Sequence, residues 1–166
     1  MAGEGLQQEL KKRSPFEVAE QEAMLNLLRT ADRLHLEFVR LFREHGLSPA
    51  QYNVLRILRG EGGEGLPSLE IAGRMITSVP DITRLVDRLE AAGLVLRDRS
   101  ARDRRVVRVR VTPRGVDLLS RLDGPVVALH RRLLGHLDAY ELGTLNDLLV
   151  KARRPPDEGA GVPADA

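Results

Sequence analysis

The chain has no cysteine and no tryptophan, only three phenylalanines and two tyrosines, and no apolar run approaching eighteen residues. Each absence removes a class of function. Without cysteine there is no disulfide framework, no thiol redox sensor and no Cys-ligated zinc site, and the composition suits a reducing compartment. With so few aromatics, recognition of single-stranded nucleic acid by stacking bases on side-chain rings is disfavoured. With no long apolar run and no signal-peptide core at the N-terminus, the expectation is a soluble, cytoplasmic protein without a membrane partner. Catalytic furniture is missing too: no nucleophile–base arrangement, no phosphate-cradling glycine loop ahead of a helix, and no ligand cluster. The Gly60–Gly65 stretch carries Glu61 and Glu64, which would repel phosphate. His35, His45, His130 and His136 have no metal-site spacing. No catalytic residue, metal or cofactor is therefore expected.

Net charge is only +2 over 166 residues, so any basic site must be local. One is present between residues 78 and 112. Ile82, Leu85, Val86 and Leu89 recur at i, i+3, i+4 and i+7, which places them on one helical face. Thr83, Arg84, Asp87 and Arg88 are left for the other face. Ser78 and Asp81 form an S-x-x-D capping box with Pro80 in the first turn, and Gly93 stands where a left-handed C′ residue is wanted. From Val106 the period changes to two: Val107, Val109 and Val111 alternate with Arg108 and Arg110, as in a half-buried strand. Leu94–Arg99 is its expected partner and Ser100–Arg105 the turn. Arg97, Arg99, Arg102, Arg104, Arg105, Arg108 and Arg110 are opposed there only by Asp98 and Asp103. Alone, a basic hairpin is commonly a solubilised sheet edge and an Arg-bearing helix a solvated surface. A hydroxyl- and arginine-bearing helix followed at once by a cationic hairpin is the electrostatic footprint of duplex DNA binding.

The flanking chain supplies the rest. Residues 1–14 are polar and read as a disordered arm. Pro15 to His45 is one long helical pattern through Leu27, Ala31, Leu34, Phe38 and Leu41, stopped by Gly46. Ser48, Pro49 and Gln51 start a second helix as N-cap, N1 and N3. Leu66–Met75 is a short third helix, and with the Ser78 helix it makes a helix-turn-helix, winged by the hairpin. Thr112-Pro113 opens a leucine-striped helix that Pro125 should kink or break, and Asp138 with Glu141 boxes the start of another. The terminal stripes exceed what the central lobe can bury, which predicts a homodimer built on interdigitating helices. The fold class is mainly α with a small β-hairpin wing. A winged helix-turn-helix lobe at 47–112 is flanked by dimerisation helices at 15–46 and 113–153, with a disordered tail at 154–166.

Leu55 with Leu58, Glu70-Ile71-Ala72, Ile82 through Glu90, Gly93-Leu94-Val95, Asp103-Arg104-Arg105 and Val111 through Gly115 stand in register over Leu47 to Leu122. In these the chain resembles the MarR family of transcriptional regulators. The resemblance implies a homodimer of triangular outline, and the function expected of it is transcriptional regulation, as a repressor ahead of an activator, on pseudo-palindromic double-stranded DNA. It implies that Thr83, Arg84 and Arg88 lie in or beside the major groove, and Ser78 and Val79 are counted with them as DNA-binding. At the wing, flanked by Arg102 and Arg104, it implies that Asp103 orients Arg105 into the minor groove. It also implies release by a small anionic or phenolic effector held near Leu34, Phe38 and Tyr52. The chain departs from the family at Val79-Pro80-Asp81, which replaces a Ser/Thr-rich start, and Asp81 is expected to serve as a cap there. A winged helix used for protein contact, its wing serving an acidic partner, is the competing reading.

Overall fold

The computed structural model describes residues 5–99 and 107–154. Among them run α1 (Leu6–Glu9), α2 (Ala19–Glu44), α3 (Pro49–Gly60), α4 (Ser68–Gly73), α5 (Ile82–Ala91), β1 (Val95–Arg99), β2 (Val107–Val111), α6 (Pro113–Leu134) and α7 (Ala139–Ala152). The mainly helical chain with one antiparallel hairpin is the fold class that the sequence predicts. The chain divides into two compact units, one ending at Leu129 and one starting at His130.

In the first unit, one core gathers the inward faces of α3, α4, α5, the hairpin and α6. Val54, Leu55, Leu58, Ile71, Val86, Leu89, Val109, Leu119 and Leu122 are all buried in it. The caps act as written. Ser48 Oγ accepts from the Gln51 N–H at 3.2 Å while Gln51 Oε1 accepts from the Ser48 N–H at 2.8 Å. Helix α5 ends in a Schellman motif. Gly93 (φ 69°) sends its N–H to Glu90 O at 2.8 Å, and the Leu94 N–H reaches Leu89 O at 2.9 Å. Leu89 and Leu94 are both buried, so the apolar contact that usually accompanies this motif is available.

β1 and β2 pair from Val95↔Val111 to Arg99↔Val107. Leu66 adds a third segment to this small sheet: its N–H donates to Val109 O at 3.0 Å, and Val109 N–H donates to Leu66 O at 2.8 Å. Thr112 joins the hairpin's exit to α6. Its hydroxyl donates to Gly93 O at 2.8 Å and accepts from the Gly115 N–H at 3.1 Å.

Several expectations are corrected. The arm read at 1–14 holds the short helix α1 within its described part. Leu6 there is 3% exposed, and Glu9 pairs with Arg29 at 2.8 Å. Four residues are too few to display a period, so nothing local announces this helix. α2 begins at Ala19 and not at Pro15. The capping box expected at Ser78 does not form, because α5 begins at Ile82. Pro125 lies inside α6, which is one helix from Pro113 to Leu134. The proline removes one ladder hydrogen bond, and the buried Leu122 and Val126 on either side hold the helix to the core.

Within the second unit, Asp138 and Glu141 form the expected capping box, at 2.9 Å in both directions. α7 carries no buried residue, and its Leu148 and Tyr140 are among the exposed large apolar side chains. Met24, Leu27, Leu28 and Leu36 of α2 are likewise exposed.

Candidate nucleic-acid interface

Helix α5 turns Ile82, Leu85, Val86 and Leu89 inward and leaves Thr83, Arg84, Asp87 and Arg88 exposed, as its period requires. Ser78, Val79 and Pro80 form a non-helical lead-in. Proline disfavours the α conformation in the residue before it, so the helix starts after Pro80 and Asp81 takes the N-cap position. Asp81 Oδ1 accepts from the Arg84 N–H at 2.9 Å. The departure at Val79-Pro80-Asp81 therefore moves the cap by three residues, and the acidic side chain is turned to the backbone. The turn ahead of α5 is anchored by a residue the sequence reading passed over. Asn53 of α3 accepts from the Ile76 N–H at 2.9 Å through Oδ1. A mid-helix asparagine beside Tyr52 and Val54 was the available signal, since asparagine there disfavours helix and calls for a partner.

The basic cluster of the hairpin divides by partner. Arg97 bonds Asp87 and Glu90 of α5. Arg108 donates to Gly65 O at 2.9 Å, and Arg110 lies 3.7 Å from Asp98. Arg97 and Arg108 therefore spend donors on partners within the protein, which corrects their counting with the DNA-facing charge, while Arg110 keeps a half-exposed side chain beside an exposed Asp98. Arg102, Asp103, Arg104 and Arg105 lie outside the described residues. Carboxylates near the helix-turn-helix are likewise engaged: Glu61 meets Arg74 at 2.5 Å, with Glu70 at 3.7 Å from the same guanidinium. Arg84 and Arg88 have no carboxylate partner among the described residues. The outer face of α5 thus presents two uncompensated cations and a threonine.

The residues expected to hold an effector cluster in part. Phe38 and Tyr52 flank a ring that the sequence reading did not include, Phe42. Its centroid lies 5.9 Å from Phe38 and 4.2 Å from Tyr52, the latter pair stacked. Leu34 is half-buried one turn before Phe38. Burial pushes the Tyr52 hydroxyl's pKa up, with Arg56 pulling it down and Asp123 adding to the rise. The phenol is thereby kept neutral, with its ring stacked on Phe42. No group of three or more potential metal ligands occurs among the described residues.

Asp123 of α6 is clamped by α3. Arg59 donates to both of its carboxylate oxygens, at 2.9 and 2.6 Å, and Arg56 stands at 3.5 Å. The Arg59 hydrogen bonds hold the Asp123 pKa below its ordinary value. Since that pKa falls on folding, the pair stabilises the fold above the unfolded-chain pKa of about 3.9 and is lost as pH drops through the folded value. Asp123 is 47% exposed, so solvent limits its worth to roughly 0.5–1 kcal/mol. Asp123→Asn should lower stability by that amount at pH 7 in urea melts, and the two proteins should converge as pH falls through the lowered folded-state pKa of Asp123.

Residues 47–107 match the family model described as MarR family. The uncharacterized HTH-type transcriptional regulator YkoM of Bacillus subtilis (strain 168) is 30% identical over 145 residues, covering 84% of this chain and 92% of its own. A MarR transcription factor from Planctomyces limnophilus is 47% identical, covering 82% of this chain and 99% of its own with a TM-score of 0.63. CouR from Rhodococcus jostii RHA1, solved bound to p-coumaroyl-CoA, is 25% identical, with coverage of 86% and 99% and a TM-score of 0.71.

Proposed function

Because the chain belongs to the MarR family of transcriptional regulators, whose winged helix binds DNA, we propose that it works as a homodimeric repressor on a pseudo-palindromic operator. It is a regulator and not an enzyme. The observation that carries the reading is the outer face of α5, where Thr83, Arg84 and Arg88 stand exposed while nearby carboxylates are tied up internally. α5 enters the major groove, with Ser78 and Val79 beside the backbone. The wing residues Arg102, Asp103, Arg104 and Arg105 reach the adjacent minor groove, where a guanidinium suits the negative potential. Two copies place two such helices about one turn of DNA apart. The exposed apolar side chains of α2 and α7 supply the dimer surface. No described helix is long and apolar enough to cross a membrane, and we place the regulator in the cytoplasm.

Release by a small ligand belongs to the same reading. The Phe38–Phe42–Tyr52 rings, with Leu34 beside them, suit an aromatic effector whose anionic group meets Arg56. CouR, with its bound coumaroyl thioester, supports a site for an aromatic acid derivative in this fold.

The test is fluorescence anisotropy on duplex from the protein's own upstream region, against scrambled duplex, over a salt series. A preference of ~10³-fold or more with a steep salt slope is expected. Arg105→Ala should weaken binding on all sequences and lower the salt slope by about one. Weak binding, equal on both duplexes and unchanged by that substitution, would favour a protein-contact module. In sedimentation, the wild type should run as a dimer and Leu148→Glu as a monomer, since a buried carboxylate at an apolar interface costs several kcal/mol. A monomeric wild type sinks the dimer.

A further inference from the structure

Arg97 sits at the middle of β1, paired with Val109 of β2, and its guanidinium turns back onto α5. Nη1 bonds the Glu90 carboxylate. Nη2 bonds Asp87 Oδ1 at 2.5 Å and reaches the Thr83 carbonyl at 3.4 Å. The Arg97 backbone N–H also donates to Glu90 Oε1, at 3.0 Å. Thr83, Asp87 and Glu90 stand at i, i+4 and i+7, one stripe along the flank of the helix. A single side chain thus grips two full turns of α5. On the opposite side, Val109 exchanges both backbone hydrogen bonds with Leu66. The hairpin is therefore held from two directions, by the lobe through Leu66 and by α5 through Arg97.

The charges give the arrangement a second consequence. Asp87 and Glu90 share a helix with Arg84 and Arg88, so left unpaired they would face phosphates. Burial opposes the Arg97 charge, yet the Asp87 and Glu90 hydrogen bonds more than offset it and hold its pKa above the ordinary arginine value. Arg97 is a fixed cation, and its donors are spent inside the protein.

We infer that Arg97 is a positioning residue for DNA recognition, holding the wing hairpin in register with α5 and cancelling Asp87 and Glu90 without itself touching DNA. The inference rests on the DNA reading of α5 given above. A phosphate-binding arginine and a positioning arginine make different demands. The first contributes one released counterion to the salt slope; the second contributes none and acts through the pre-arrangement of two other contacts.

The experiment compares wild type, Arg97→Met, Arg97→Lys and Arg97→Met/Asp87→Asn/Glu90→Gln by anisotropy on upstream and scrambled duplex over salt. Amide hydrogen exchange is followed in α5 and the two strands. Arg97→Met should weaken upstream binding roughly 10–100-fold, with the salt slope unchanged, because uncompensated like charge is costly at such a surface. The triple variant should recover most of that loss, and Arg97→Lys, which keeps the charge but lacks the fork, should recover less. If Arg97→Met does not fold, the lysine variant carries the comparison. A slope lowered by about one without recovery in the triple variant would make Arg97 a direct phosphate contact and overturn the inference. Unchanged affinity would overturn it as well. If the wild type shows no sequence preference, the DNA reading is what fails, and exchange decides the staple. Faster exchange in both α5 and the strands supports it, and unchanged exchange ends it.

Discussion

Gly65→Ala should lower unfolding free energy by ~2–5 kcal/mol, the sum of a left-handed penalty and a steric clash. Gly65 has φ of +72°, where a β-carbon is disfavoured, and an added Cβ would fall 2.5 Å from Val109 O and 2.5 Å from Arg110 Cγ. The Arg110 stem can move. The Val109 carbonyl cannot do so freely, because it accepts the Leu66 N–H that adds a third segment to the hairpin. Relief of the clash must therefore loosen the wing from the lobe. Chemical denaturation reads the stability loss, and hydrogen exchange at Leu66 and Val109 reads its location. Gly62 makes the contrast: its φ is also positive, at 76°, but no atom lies within 4 Å of an added Cβ. Gly62→Ala should cost only the conformational share, about 1–2 kcal/mol. Equal losses at the two positions would refute the close-approach account.

Arg84→Ala should weaken binding to the operator by roughly 1–3 kcal/mol, or about 5–150-fold, while scrambled duplex loses far less. The backbone at Arg84 is held by the Asp81 cap at 2.9 Å, so its side chain leaves from a fixed point in the first turn of α5. No carboxylate among the described residues competes for it. Exposure, a rigid origin and unspent donors are what a bidentate contact to guanine requires. Anisotropy on a panel of single-base operator variants is the measurement. Relaxed discrimination confined to one or two positions assigns Arg84 to a base. An equal loss on every sequence would place it on a phosphate.

Much of the site was legible because its determinants are local. The 3.6-residue period set the inward face of α5 at Ile82, Leu85, Val86 and Leu89, and all four are buried. Ser48-Pro49-Ala50-Gln51, Asp138 with Glu141, Gly93 and Thr112 each mark a helix end by short-range hydrogen bonds, and each does so in the structure. The misreading at Ser78 was also local: two cap candidates stood three residues apart, and Pro80 between them favours the second. α1 was missed because a one-turn helix has no period to read and is stabilised from afar, by Arg29.

Local pattern and spacing suffice to place the helix-turn-helix, the hairpin, the polar face of α5 and the caps that bound them. Those depend on interactions spanning a few residues, which pattern and spacing record. Which arginines pair within the protein is settled by contacts distant in the chain. Arg97 to Glu90, Arg108 to Gly65, Arg59 to Asp123 and Asn53 to Ile76 join positions 7, 43, 64 and 23 residues apart. A charge in a sequence has no address until the chain closes on it. Packing brings the carboxylate or carbonyl into reach, and the same guanidinium becomes a staple instead of a reader.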